Sequence, residues 1–216
     1  MSILTARVSS TPANGHLPPE FEFSGTRERI VLAALDRFAE VGYGATSIRD
    51  IASAVKLNSA TLYSHFESKE AILVELVTIG HRAHHARLLK AVLSSAGHPR
   101  AQLEALARAH VHFHCEYARL AVVANAEMHA LPETVAAPAL ALRSQAVAML
   151  IDILERGQAS GEFQLLRVDV TAAAVAALGR QAAHWFPSDS VPVNADALAD
   201  HYSALVMRMV APWPAS

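Results

Sequence analysis

The stretch RERIVLAALDRFAEVGYGATSIRDIASAVKLNSATLYSHFESKEAILVEL, residues 27–76, decides the fold. Its first part repeats apolar residues at steps of four, four and three, which are Ile30, Ala34, Phe38 and Val41. This spacing predicts one face of a helix that begins near Thr26. Gly42 is suited to end that helix because glycine adopts the left-handed cap conformation without strain.

Two short helices are predicted next, because a capping residue precedes each of them. Thr46 or Ser47 caps the first, and Asn58 caps the second, with only a tight turn around Lys56 between them. Three short helices with such a turn favour a helix-turn-helix, which lays one helix in a DNA major groove. An ordinary three-helix bundle is the alternative that periodicity leaves open.

The rest of the chain also shows helical periodicity. Ser68 is suited to cap a long helix whose apolar stripe runs to about Ser95. Five further helices are predicted at about 99–116, 118–130, 134–159, 169–186 and 195–210. Pro138 lies inside the third of these, so that helix either begins late or kinks there. No stretch alternates with a period of two, and we predict an all-α fold of about nine helices.

Composition narrows the class of protein. The chain has 216 residues, 52% of them hydrophobic, which suffices for one large domain or two small ones. The single cysteine, Cys115, forbids an internal disulfide, and no apolar run approaches the roughly 18 residues of a membrane span. We therefore expect a cytoplasmic protein without a membrane partner. Residues 1–24 have the composition of a flexible arm.

Three sequence elements resemble one family. They are FAEVGYGATS from Phe38 to Ser47, the Ile51-Ala52 pair, and TLYSHFESKE from Thr61 to Glu70. Together they resemble the DNA-binding domain of the tetracycline-repressor (TetR) family of bacterial regulators, over about 50 residues. The resemblance implies a helix-turn-helix domain at 25–71 and a ligand-binding and dimerisation domain at 72–216.

Two positions depart from the family pattern. The family commonly has a glycine where this chain has Lys56, and often a lysine at the position of Ser59. A non-glycine residue in the turn either accepts a left-handed conformation or reshapes the turn. The serine removes one contact to a phosphate or a guanine, which puts base preference in doubt.

The residues of this domain suit DNA contact, although its six basic and six acidic groups cancel. Hydroxyl, amide and ammonium groups donate to phosphate oxygens, and four residues are candidates to face base edges, namely Arg49, Ser59, Ala60 and Thr61. His65 is predicted to meet either DNA or a core neighbour, and the hydroxyls can equally serve as helix caps. The predicted DNA-binding residues are Thr46, Ser47, Arg49, Lys56, Asn58, Ser59, Ala60, Thr61, Tyr63, His65 and Lys69.

The C-terminal region carries none of the usual catalytic or nucleotide-binding motifs, so we expect no enzyme and no cofactor. A ligand cavity is predicted instead, with apolar walls from Leu88, Val92, Leu106, Phe113, Val147 and Leu150. The polar candidates are His110, His114, Tyr117, Asn125, Arg143, Gln181, His184 and Trp185. The stretches VVANAEMHALPE and IDILERGQASGEF resemble regulators of lipid or acyl-CoA breakdown, which nominates an acyl thioester as the small-molecule effector.

Histidine is frequent, with twelve in the chain. Two pairs have the i, i+4 spacing that can chelate a transition metal, His81 with His85 and His110 with His114. A metal needs further ligands, for which only Glu116, Glu127 and His129 suggest themselves. We therefore favour exposed or hydrogen-bonded histidines and expect no metal.

These observations predict a homodimeric repressor that binds a palindromic operator in double-stranded DNA and is relieved by a ligand. The dimer is expected to form through the last two helices, from DVTAAAVAALGRQAAHWF and from a stripe of Leu198, Tyr202, Leu205 and Met209. The alternative is a helical metal-binding sensor or enzyme in which the helix-turn-helix is only structural.

Overall fold

The computed structural model describes residues 17–21, 25–187 and 190–212, and these form nine α-helices and no strand. The helices are α1 Gly25–Val41, α2 Ile48–Ala54, α3 Ser59–Tyr63, α4 Lys69–Ser94, α5 Pro99–Glu116, α6 Ala118–Ala126, α7 Glu133–Ala159, α8 Val168–Trp185 and α9 Ala195–Val210. A short 3-10 helix, Met128–Ala130, follows α6. The all-α prediction is confirmed, and most predicted boundaries lie within one residue of the observed ones.

The capping residues of the N-terminal helices are those that the sequence indicates. Ser47, rather than Thr46, caps α2, and its hydroxyl accepts a hydrogen bond from the backbone N–H of Asp50 at 3.2 Å. Asn58 caps α3 and Ser68 caps α4 in the same way. Each cap satisfies a backbone N–H that has no partner inside its helix.

The first three helices share one core with the start of α4. Ile30 and Phe38 of α1 lie against Ile51 of α2 and Leu62 of α3, and all four are at most 2% exposed. Val41, predicted on the same face of α1, is 46% exposed, so the buried stripe ends one turn earlier. The apolar core fixes the angle at which α3 leaves α2.

The turn between α2 and α3 contains the non-glycine residue that departs from the family pattern. Lys56 has φ +58°, in the left-handed region, so the first of the two expected outcomes holds. The backbone N–H of Leu57 donates to the carbonyl of Ala52 at 2.8 Å, which closes the turn. Arg29 of α1 donates to the carbonyl of Val55 and ties the turn to the core.

The C-terminal region surrounds α5, which packs against α4, α7, α8 and α9. One apolar cluster includes Leu103, Leu106 and Ile153, and a smaller one joins Val111 and Cys115 to α8 and α9. The predicted boundary between residues 71 and 72 falls within α4, which is continuous from Lys69 to Ser94. The two regions are therefore joined by a helix rather than by a linker.

Helix α7 begins at Glu133, so of the two alternatives the late start at Pro138 does not occur and the proline lies within the helix. Because proline has no backbone N–H, the carbonyl of Thr134 lacks the hydrogen bond that it would otherwise accept within the helix. Helix α7 has a mean hydropathy of 1.4, so by length and composition it could cross a membrane. This differs from the expectation that no segment of the chain is apolar enough to do so. In the fold α7 packs against α4, α5 and α8.

Two other expectations are modified. Most of the predicted arm lies outside the described residues, but residues 17–21 form a turn in which Leu17 and Phe21 pack against the first core. The predicted stripe on α9 is split. Leu198 is buried among α5 and α8, whereas Leu205 and Met209 are 40% and 42% exposed.

The left-handed turn gives a stability prediction. We expect Lys56→Gly to raise the free energy of unfolding by about 0.5–1 kcal/mol, because glycine avoids the Cβ penalty but has a more disordered unfolded state. Lys56→Ala removes the charge and keeps the penalty, so it should change stability by less than about 0.5 kcal/mol. Urea unfolding measures both variants, and a destabilised Lys56→Gly protein would contradict the expectation.

Candidate DNA-binding surface and ligand cavity

The predicted DNA-binding residues that the fold leaves accessible surround α3. Arg49, Lys56, Asn58, Ala60 and Tyr63 are exposed. Ser59, Thr61 and His65 are half-buried. This surface therefore presents two cations, an amide, hydroxyls and a phenol beside a short helix, which are groups that bind phosphates and base edges.

Two capping residues carry a structural role and still reach solvent. Ser47 binds the carboxylate of Asp50 through its backbone N–H at 2.8 Å and its hydroxyl at 2.7 Å, and these bonds lower the pKa of Asp50. Asn58 Oδ1 accepts the N–H of Thr61 at 2.8 Å. Asn58 is exposed at the start of α3, and its amide nitrogen is still able to donate.

Two predicted phosphate donors are instead engaged inside the protein. Thr46 is 2% exposed, and its hydroxyl donates to the carbonyl of Gly42 at 2.9 Å. The Lys69 ammonium donates to the carbonyls of Tyr43 and Thr46, each at 2.7 Å, and lies 4.0 Å from the centre of the Tyr43 ring. Lys69 thus holds the α1–α2 loop against the start of α4.

Contacts between the N-terminal unit and α6 were missed from the sequence. Arg119 of α6 forms an ion pair with Asp36 of α1. Glu127 Oε1, just after α6, accepts the backbone N–H of Tyr43 at 3.2 Å. The partners are more than 80 positions apart, so no local pattern announces them.

A cavity of about 60 Å³ lies among α4, α5, α6, α7 and α8. Leu88, Leu106, Phe113, Val147 and Leu150 line it, as predicted. Val92, the sixth predicted wall residue, lies in the apolar cluster beside it instead. The cavity is too small for a large ligand to enter whole without movement of its walls.

The predicted polar candidates divide into three groups, which line the cavity, line a groove beside it, or line neither space. His110, His114, Asn125 and Arg143 line the cavity. Gln181 and His184 line a groove beside it, and Asn125 and Arg180 border both spaces.

Tyr117 and Trp185 line neither space, contrary to prediction. Tyr117 is 5% exposed and packs against Phe113, with their ring centres 5.4 Å apart. Burial and the neighbouring Glu116 raise the pKa of Tyr117 to about 12. Trp185 packs with Phe186 and Tyr202 beside the third apolar cluster.

Among the described residues, two arginines and no carboxylate line the cavity. Arg180, which was not predicted, joins Arg143 in its wall, and neither forms an ion pair with any described residue. Burial and the positive charge of Arg143 lower the pKa of Arg180. Two cations that line one cavity without an acidic partner among the described residues produce a positive potential, which attracts anions.

Three histidines meet at the cavity, and His84 among them was missed. His84 Nε2 lies 2.8 Å from His110 Nδ1, and the ring centres of His110 and His114 are 4.5 Å apart. His81, one of the histidines at i, i+4 spacing, also lines the cavity, and its Nε2 lies 3.3 Å from the carbonyl of Ala124. His84 was missed because i, i+4 spacing was sought, whereas the face of α4 toward the cavity carries residues 80, 81, 84 and 88.

The predicted additional metal ligands lie elsewhere. Glu116 binds Arg87 at 2.6 Å, Glu127 binds the N–H of Tyr43, and His129 bonds to the carbonyl of Ala126. None of the three reaches the histidine cluster. Gly179 makes room for the cluster, because a Cβ at that position would lie 2.1 Å from Cδ2 of His110.

Residues 30–76 match the model of the bacterial regulatory proteins of the tetR family. Residues 96–210, more than half of the chain, match the tetracyclin repressor-like C-terminal domain. The chain belongs to the TetR family. The resemblance first seen in the helix-turn-helix therefore extends to the C-terminal region.

Other regulators resemble this TetR protein either over a short segment or over most of the chain. The transcriptional repressor KstR2 of Rhodococcus jostii is 44% identical over 54 residues, which span 25% of this chain and 26% of that protein. The regulator PfmR of Thermus thermophilus is 32% identical, with a TM-score of 0.74 over 83% of this chain and 97% of that structure. KstR2 of Mycobacterium tuberculosis, a ketosteroid transcriptional regulator, is 26% identical, with a TM-score of 0.81 over 89% and 98%.

The hydrogen bonds from Lys69 to two loop carbonyls lead to a stability prediction. We expect Lys69→Met to lower the free energy of unfolding by about 1.5–3 kcal/mol, because two loop carbonyls lose a charged donor. Lys90→Met, at an exposed position of the same helix, should change it by less than about 0.5 kcal/mol. Denaturant unfolding compares the two, and equal stabilities would show that Lys69 has no such structural role.

Proposed function

We propose that this TetR-family protein is a transcriptional repressor that binds a palindromic operator as a homodimer and is released by a small-molecule effector. The observation that carries the proposal is the course of α4. Its first half packs under the helix-turn-helix, through Ile72 and Leu76, and its second half lines the cavity, through His84 and Leu88. A ligand in the cavity therefore touches the helix on which the DNA-binding unit rests.

In this proposal α3 is the recognition helix. Lys56, Asn58 and Tyr63 contact phosphates at its two ends, while Ala60 and Thr61 face the bases, and Arg49 reaches them from α2. The local exposure of these groups supports the assignment, although the unit as a whole is electrically neutral. Thr46 and Lys69 are not included, because their polar atoms are engaged within the unit.

We propose that the dimer forms through α8 and α9. Both helices have apolar residues exposed, with Val170 59%, Leu205 40% and Met209 42% accessible. Small exposed residues such as Ala173 and Ala177 allow helices to approach closely on α8. A twofold axis there would present two recognition helices to half-sites about 34–36 Å apart.

The effector that the cavity favours has an apolar body and an anionic head. The walls are mostly Leu, Val, Phe and Ala, and the charged groups are Arg143 and Arg180. Arg180 and Asn125 line both the cavity and the groove beside it. A large polar head group would lie in this groove, outside the cavity. An acyl thioester of coenzyme A fits this division, with its phosphates at the arginines and its acyl group inside.

Release of DNA follows from a shift between two states. An effector that holds the walls apart displaces α4, and α6 moves with it because it borders the same cavity. The Arg119–Asp36 and Glu127–Tyr43 contacts connect α6 to the N-terminal unit. The coupling free energy is limited by the differential affinity of the effector for the two states, typically about 1–3 kcal/mol.

We infer that the protein acts in the cytoplasm, where operator DNA is found, and has no catalytic role. Membership in a family of regulators favours this reading over a sensor or enzyme whose helix-turn-helix is only structural.

DNA binding is tested by mobility shift on the DNA upstream of the protein's own gene. We expect Lys56→Gln to flatten the plot of log K against log salt by about one unit, because one fewer phosphate is neutralised. Lys90→Gln, at an exposed site far from α3, should leave the slope unchanged. Sedimentation of the same sample gives its oligomeric state, and a monomer that ignores the upstream DNA would exclude the proposal.

The anionic head is tested with matched small ligands in a thermal shift assay. We expect hexanoate and hexanoyl-CoA to raise the melting temperature more than hexanol, because only the first two carry anionic groups for the arginines. Arg180→Gln should remove most of that difference and leave the effect of hexanol unchanged. Equal stabilisation by hexanol and hexanoate in the unaltered protein would rule out an anion site.

A further inference from the structure

A cluster of three imidazoles lies at one wall of the cavity. His84 comes from α4 and His110 and His114 from α5, and one ring nitrogen of each lies within 4.8 Å of the other two. His110 and His114 are buried, and His84 is half-buried because it faces the cavity. The three histidines thus place buried ring nitrogens next to the space of the cavity.

The hydrogen bonds around the cluster determine which nitrogens carry lone pairs. His110 Nε2 lies 3.1 Å from the carbonyl of Ala176, and His114 Nδ1 lies 2.8 Å from the carbonyl of His110. A carbonyl accepts only, so each of these nitrogens is the protonated one. The other ring nitrogen, Nδ1 of His110 and Nε2 of His114, therefore carries a lone pair.

This pattern is the one found around protein metal ions. A metal-ligating histidine usually donates its second ring N–H to a carbonyl or carboxylate, which fixes the tautomer and the orientation of the ring. Here two backbone carbonyls already provide that support. His84 completes the set by moving its proton from Nε2 to Nδ1, which frees the nitrogen that faces His110.

Burial also disfavours the positively charged form of the three imidazoles. Burial lowers the pKa of His110 to about 4, and burial together with neighbouring histidines lowers the pKa of His84 and His114. Neutral imidazole binds a metal without first losing a proton to solvent. Within the described part of the chain, the hydrogen-bond partners of the three rings are each other and two backbone carbonyls.

We propose that His84, His110 and His114 form a binding site for a divalent transition-metal ion, of which Zn²⁺ is the best match. Imidazole suits Zn²⁺, and three histidines with one open position are a known tetrahedral set. All three histidines line the cavity, so the fourth ligand would come from there. The ligand set itself carries no negative charge, and Arg143 and Arg180 line the same cavity.

That electrostatic setting assigns a chemistry to the fourth ligand. A divalent ion beside two arginines is stabilised by an anion, so a hydroxide, a chloride or a carboxylate takes the open position. If the proposed effector is an anion, its head group meets the metal as well as Arg180. This last step rests on the proposed function, whereas the metal site does not.

The metal site is tested on untagged protein stripped with EDTA. We expect Zn²⁺ titration to give one tight site per chain and a higher melting temperature with the metal. Co²⁺ in the same site should give visible absorption bands of a low-coordinate complex. His84→Gln, at a half-buried position that tolerates an amide, should weaken Zn²⁺ binding by more than about 10-fold, as should His114→Gln.

The control is His112→Gln, because this histidine lies between the others in α5 but faces Glu116 and Asp196 at the surface. Its replacement should leave Zn²⁺ affinity unchanged. Circular dichroism in EDTA checks that all variants fold. The proposal is overturned if the unaltered protein binds no Zn²⁺, or if His84→Gln and His114→Gln bind it as tightly as His112→Gln.

The site and the regulatory function fail separately. Zn²⁺ binding is measured without DNA or effector, so its absence leaves operator binding untouched. Conversely, retained Zn²⁺ binding in a protein that ignores upstream DNA supports the metal site and counts only against the proposed repressor.

Discussion

A single uninterrupted helix serves two cores in this protein. The first turns of α4 are fixed to the N-terminal unit by buried residues such as Ile72 and Leu76, and by the Lys69 ammonium, which binds the α1–α2 loop. The later turns form a wall of the cavity. A helix of 26 residues bends little without a proline or an inserted group, so its two ends move together. The proposed communication between ligand and DNA depends on that stiffness.

The cavity is unusual in the charge of its polar groups. Of the residues that the structure describes, two arginines and four histidines line it, and no carboxylate does. The histidines are neutral because burial opposes their protonation, while the arginines keep their charge even with a lowered pKa for Arg180. The cavity therefore offers positive charge next to uncharged imidazole nitrogens. This combination underlies both the proposed anionic effector and the proposed metal site.

The N-terminal unit separates structural from accessible polar groups. Thr46 and Lys69 direct their donors to backbone carbonyls inside the unit, so they stabilise it. Lys56 adopts a left-handed conformation in a turn where the family commonly has glycine, and its side chain remains exposed. The strain is tolerated because Arg29 and the backbone bond of Leu57 hold the turn on both sides.

Helix positions, caps and the fold class were determined by the sequence alone, because they depend on residues within a few positions of each other. Ser47, Asn58 and Ser68 cap the helices that they precede for this reason. Which polar groups face solvent, and which histidines meet, depends on how helices far apart in the chain pack. Only the tertiary structure could bring His84 to His110, or bury Thr46, because periodicity identifies a face of a helix without identifying its neighbour.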